Sequence, residues 1–302
     1  MKVGAMTLRW PRRERRFMPT ATGWSESTHA ELAWKSSRGA AGRWAIGGAV
    51  LGTIGALIAF APAAWLASAV SSASNQTLLL ADARGTVWNG SATALLTGGP
   101  DSRDAAALPG RLHWTLGWRG FGLELRLRQP CCLPQPLAIA MRPGFGRFSM
   151  TLLPPAGGGE ASGHWPAAWL AGLGTPWNTL QLGGDLRLAS PGLTIERVQG
   201  RWRFDGRAAL ELSGLSSRVS TVDPLGSYRL TLAGDPAAPG AATLNLTTLD
   251  GALQLTGSGA WGPSGLRFRG EASAQPGDEA ALNNLLNIIG RRNGARSVIS
   301  IG

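Results

Sequence analysis

The chain has 302 residues, 44% of them hydrophobic and only 16% charged. A charged share so far under the usual ~25% excludes an intrinsically disordered chain. Forty-three glycines and 19 prolines oppose an all-helical bundle, and no glycine-every-third pattern exists to make a collagen helix. The formal net charge is +11, but residues 1–43 hold nine Lys+Arg and three Asp+Glu (net +6). The remaining twenty and fifteen leave +5 spread along the body, so no dense basic patch argues for nucleic acid.

The leader, residues 1–43, carries RWPRRERR at 9–16, read as a solvated basic tail beside anionic lipid. From Trp44 to Ala81 no residue is charged. Residues 44–66 are apolar and long enough to span ~30 Å of hydrocarbon as one transmembrane helix. Trp44 and Trp65 stand at its two ends, where amphipathic rings favour the interface. Arg38 and Arg43 precede it and the next basic residue is Arg84, so the positive-inside rule places the N-terminus in the cytoplasm. A cleaved signal peptide ending near Ala67-Ser68-Ala69 is the rival reading. The long apolar run and long leader favour the anchor. Gly48 and Gly52, continued by Ala56, form a small-residue face suited to helix packing, or reflect only the abundance of glycine in membrane helices.

Beyond residue 75 the dominant signal is period two, predicting strands with one apolar and one polar face. It is clearest at Leu123–Leu127, Leu180–Leu188, Leu193–Ile195, Leu210–Leu212, Leu244–Leu246, Leu253–Leu255 and Leu266–Phe268. Asp250-Gly251 is a hairpin signal, and short turns between neighbouring strands imply antiparallel pairing. RGTVWNGSATALLTG (84–98) weakly echoes QGRWRFDGRAALELSG (199–214). If real, the echo implies two similar β units covering roughly 75–155 and 175–275, joined near PPAGGGEAS, with the second unit as a whole running over 163–302. Helices are predicted at 164–173 and, more clearly, at 278–289, where Asp278 is a cap and Gly290 a stop. The fold class is mainly β: a transmembrane helix, then an antiparallel β-rich domain forming a curved groove or a sandwich.

Chemistry is sparse. His29, His113 and His164 are scattered, and no spacing suggests a metal site, a nucleophile elbow or a phosphate loop. The reading is therefore of a non-enzyme: no catalytic, cofactor-binding or metal residue, no cofactor and no small-molecule substrate. Cys131 and Cys132 are adjacent and could pair with each other, pair between chains or stay as thiols. The body tryptophans are core residues by default, or a binding platform if exposed together.

Four stretches resemble the type II secretion system protein N family. They are LADARGTVWNGSATALL (80–96), LPGRLHWTL (108–116), WPAAWLAGLGTPWNTLQLGGDLRL (165–188) and LLNIIGRRNGARSVISIG (285–302). The tryptophan-containing leader and the Cys131-Cys132 pair lie outside that pattern. The resemblance implies an inner-membrane, single-pass accessory subunit with a periplasmic domain that supports export of folded proteins. Its partners would be the inner membrane and other secretion subunits. An alternative is an AsmA-like envelope protein whose apolar groove handles lipid. In the most specific stretch, Trp165, Trp169, Trp177 and Asn178 are the candidate partner or structural residues.

Overall fold

The computed structural model describes residues 44–302 apart from 236, 237, 239, 263 and 264. The basic leader 1–43 and its RWPRRERR run therefore lie outside the described residues. Residues 44–59 are helical (α1), and Phe60–Gly302 forms a compact unit of its own.

The apolar stretch 44–66 is not one helix. Pro62, which has no N–H to donate and whose ring crowds the preceding turn, interrupts it. The chain is extended at Pro62 and a second helix, α2 (Ala63–Ala73), starts behind it. Ala63 is buried and packs with Ala92 and Trp114, and Leu66 joins them, so the end of the expected span is part of the β unit. No helix among the described residues is long and apolar enough to cross a membrane. Trp65 lies in α2 and is exposed.

The rest is a single antiparallel sheet of sixteen strands. Its first part comprises β1 (Leu78–Gly85), β2 (Asn89–Thr97), β3 (Ala105–Ala107), β4 (Leu112–Arg119), β5 (Gly122–Arg128), β6 (Leu137–Gly144), β7 (Arg147–Leu153) and β8 (Ala161–Pro166). The second comprises β9 (Leu182–Val198), β10 (Arg201–Ser217), β11 (Gly226–Gly234), β12 (Ala242–Asp250), β13 (Leu253–Gly262), β14 (Gly265–Ala274), β15 (Arg291–Asn293) and β16 (Arg296–Ile301). Chain neighbours pair almost throughout, in the order β1-β2-β4-β5-β6-β7-β9-β10-β11-β12-β13-β14-β16-β15. Strands from 75–155 and from 163–302 thus share one sheet through the β7–β9 pair. Of the two architectures open to the sequence, a sandwich of two sheets is not formed. The ends of the order, β1 and β15, do not pair with each other, so the sheet is open.

Strand β9 serves two partners on one side: β7 along its second half and β8 along its first. A bulge at Ser190-Pro191 allows the change. Proline has no ladder N–H to lose there, and the Ser190 hydroxyl donates to the Arg207 carbonyl at 2.7 Å. The expected helix at 164–173 is instead the end of β8 followed by a 3-10 helix, η1 (Ala167–Leu173). Pro166 closes the strand and is not in the helix. A short α3 (Trp177–Leu180) follows.

The main core closes one end of the second-half strands. Helix α4 (Glu279–Ile289) buries Leu282, Leu285 and Leu286, the face that its 3.6-residue spacing predicts. They pack with Leu215, Leu225, Tyr228, Leu253 and Ala272, and with Ala167 and Leu180 of the η1–α3 segment. Each fully buried leucine contributes roughly 1.5–3 kcal/mol of burial. At the N-terminal side Trp114 is buried over Gly90, where a Cβ would strike its ring, and its indole N–H donates to the Val87 carbonyl at 3.1 Å.

Candidate functional site

Register makes the sheet two-faced. Following the pairs across, one face carries Leu125, Ile139, Leu152, Leu193, then Leu210, Leu230, Leu246 and, at the far side, Phe268 and Ile299. The other carries Glu124, Ala140, Thr151, Thr194, Asp205, Arg229 and Glu271. Opposite charges meet across neighbouring strands on the polar face, as sheet pairing favours. Arg229 and Glu211 stand directly opposite and touch at 2.6 Å, Arg296 reaches Glu271 at 3.0 Å, and Arg147 is bonded to Glu196. Glu124 takes Arg126 at 2.5 Å and Arg119 at 2.6 Å. Arg126 first, then Arg119, holds its carboxyl below the usual carboxylate range. At the sheet edge Asp82 is lowered in the same way by Arg111 and Arg84. Arg147 is raised by Glu196. An open cavity of about 600 Å³ lies among these groups, lined by Arg147, Glu196 and Asp205 among others.

The apolar face is half-buried along most of its length: α2 covers it beside Trp114, Leu125 and Leu127, and α4 with the η1–α3 segment covers one end of the second-half strands. There the Trp165–Asn178 stretch forms a clasp. Trp165 and Trp169 pack with Leu78, Leu80, Ala94, Leu108 and Cys132 of the first-half strands and loops. The Trp169 indole donates to the Ala106 carbonyl on β3 at 3.1 Å, and the Asn178 amide donates to Asp104 at 2.9 Å. Gly172 lies so close to β2 and β3 that a Cβ would run into the Leu96 carbonyl. Ala167 and Leu180 of the same segment belong to the second-half core. The clasp thus ties β2–β3 to β9 across the sheet. Trp177 is partly exposed beside it. A cleft of about 660 Å³ next to the clasp is lined by Asn178, Gln181, Ser216 and Asp223 among others. Sequence reasoning named the tryptophans and Asn178 but missed Gly172 and Asp104. Only the pairing of Asp104 with Asn178 makes it stand out.

Cys131 and Cys132 are joined to each other by a disulfide in the loop after β5. Cys132 is buried against Leu108 and Ala94, and its carbonyl accepts the His164 N–H of β8 at 2.8 Å. Gly48 and Gly52 lie in α1 with open space where a Cβ would stand. Trp44 is exposed at the first described position of that helix. No group of three His, Cys, Asp or Glu side chains that could hold a metal occurs among the described residues.

The other end of the strands is open and aromatic. Phe121 and Phe145 occupy the β4–β5 and β6–β7 turns, and Trp118, Trp202 and Trp261 lie beside turns at the same end. Phe60, where the chain enters the unit, is there too: Pro62 bridges to Thr86, and Val87 of the β1–β2 turn donates its N–H to the Ala61 carbonyl. The sequence signal that was passed over is Gly-Phe-Gly, present at 120–122 and again at 144–146. Gly120 and Gly146 supply the left-handed turn conformation, so the phenylalanine between the glycines is not needed to make the turn.

The fold and its clasp define a class: an open, two-faced antiparallel sheet unit preceded by an apolar helix. The family model for type II secretion system protein N matches residues 76–299, which is the sheet almost from end to end. The chain belongs to the type II secretion system protein N family. No curated protein and no solved structure matches it. Membership makes it a component of type II protein secretion, associated with the cell envelope and with other parts of that machinery.

Proposed function

We propose that this chain is a non-enzymatic accessory subunit of the type II secretion system, held in the inner membrane by α1 with its sheet unit in the periplasm. The observation that carries the reading is the family match over the whole sheet. The anchor is supported by α1 itself. Ile46, Val50, Leu51, Ile54 and Leu57 are all exposed on a helix that is apolar all round, and such a helix belongs in an apolar medium. Its described residues, 44–59, extend about 24 Å at ~1.5 Å each. Arg38 and Arg43 on the leader side set the orientation by the positive-inside rule. Gly48 and Gly52 give that helix a face on which a second membrane helix can pack closely. In the sheet unit, the polar face and the strand edges are the surfaces offered to other subunits, and the clasp holds them in a fixed relation.

The test is clean deletion of the gene, with the medium, periplasm and outer membrane assayed separately. Folded exoproteins accumulating in the periplasm behind an intact outer membrane are the expected result. Normal secretion with a leaking envelope or a shifted lipid balance would replace this reading with a lipid-handling one.

A further inference from the structure

We infer that the aromatic turn end of the sheet unit is a second membrane contact, dipping into the headgroup layer of the bilayer that holds α1. The inference rests on the proposed anchor and adds to it a defined surface and a lipid partner.

Large exposed side chains are sorted to one end of this unit. Phe121 and Phe145 are 104% and 110% exposed, at the tips of two adjacent hairpins. A single exposed phenylalanine would need no explanation, but several large apolar side chains gathered at one end make a patch of the kind that marks an interaction surface. Trp118, 78% exposed and tilted against Trp88, stands at the same end with the partly exposed Trp202 and Trp261, and aromatic rings of this kind favour the membrane interface. At the opposite end, among the described residues, the large exposed apolar side chains are Trp177 and Leu249, 37% and 47% exposed.

Charge points the same way. Arg142, Arg197 and Arg201 are exposed at these turns, with Arg197 lying over the Trp202 ring at 5.6 Å. Of the carboxylates near this end, Glu124 and Glu196 are each held by an arginine of the same end, and Asp205 is exposed beside them. Arginine beside exposed aromatics complements anionic headgroups.

Chain entry supplies the third, independent observation. The polypeptide comes into the unit through Phe60–Pro62, hydrogen-bonded to the β1–β2 turn at this same end. A helix in the membrane therefore delivers the chain to the aromatic end.

The experiment places a photoreactive benzoylphenylalanine at position 51, 121, 145 or 293 of the full chain, one at a time, in cells, and identifies each adduct after irradiation. Position 51 reports α1, and Asn293, exposed in the β15–β16 hairpin at the far end, is the control. Lipid adducts at 121 and 145 and none at 293 are expected. Adducts to protein at 121 and 145, or no lipid adduct there while 51 gives one, would overturn the contact and leave the anchor standing. Lipid adducts at 121 and 145 with none at 51 would keep the contact and remove the anchor. None at all three positions would remove both. As a second measurement, nitroxides at the same positions on the Cys131→Ser, Cys132→Ser chain, in vesicles of phosphatidylethanolamine and phosphatidylglycerol, should meet oxygen more often than a nickel chelate at 121 and 145. The reverse order at both positions would overturn the contact.

Discussion

Replacing Gly172 by alanine tests the clasp directly. Gly172 is buried and its φ lies outside the left-handed region, so the substitution carries no conformational penalty of its own. Its cost is steric. The new methyl would run into the Leu96 carbonyl oxygen and stand 2.7 Å from the Ala106 nitrogen. Both are backbone atoms of paired strands, so neither can rotate aside. Overpacking of this kind costs ~1–3 kcal/mol. The loss of backbone freedom in the unfolded chain gives back ~0.4–1 kcal/mol. The net is a loss of about 1–2 kcal/mol, which in a unit of this size lowers the midpoint by ~2–8 °C. Gly117→Ala is the matched control. It also has an ordinary φ, and nothing lies within 4 Å of the point where its Cβ would stand. Thermal unfolding of the detergent-solubilised chain, followed by far-UV circular dichroism, compares the two. An unchanged midpoint for Gly172→Ala, or an equal shift for both, would refute the tight approach of η1 to β2 and β3.

Leu285→Ala should cost ~2–5 kcal/mol, because the side chain is fully buried between α4 and the sheet; denaturant midpoints measure it. Tyr228→Phe removes the hydroxyl that donates to the Leu253 carbonyl at 2.9 Å, a loss of ~1–2 kcal/mol at neutral pH. Burial pushes the Tyr228 phenol above its ordinary value, so above about pH 10 the unfolded chain gives up that proton while the folded one keeps it. Wild-type stability therefore falls with rising pH above ~10 more steeply than that of Tyr228→Phe. Glu124 has the opposite sign: its lowered carboxyl is present as stability above the usual carboxylate range and lost as pH falls through it. Glu124→Gln should flatten the acid limb of the stability curve below about pH 5, read from urea midpoints at successive pH values.

The sequence by itself determined the local character of almost every element. Alternation at Leu123–Leu127, Leu210–Leu212 and Leu244–Leu246 is enough for two-faced strands, because strand side chains change face at every residue. Asp250-Gly251 fits the turn observed between β12 and β13. Leu282, Leu285, Leu286 and Gly290 are enough for α4 and its buried face. The family motifs are likewise contiguous stretches, so the resemblance did not wait on the fold. Pro62 was also in plain view, and the apolar count outweighed it only because hydropathy does not register a missing N–H.

Tertiary structure decided what depends on distant partners. Whether half-apolar strands make two sheets or one is set by which strand takes β7 as its neighbour, and the choice is β9, which lies beyond β8 and η1 in the chain. Residues 164–166 read as helix locally and become strand because β9 offers them a ladder of hydrogen bonds. Gly172, Asp104 and the Ala106 carbonyl acquire meaning only when η1 lies against β2 and β3. The gathering of Phe60, Phe121, Phe145 and Trp202 at one end follows from antiparallel register, which brings alternate turns together however far apart they lie in the chain. Short-range pattern specifies elements because its physics is local; their assembly is fixed by contacts whose two halves no single stretch of sequence contains.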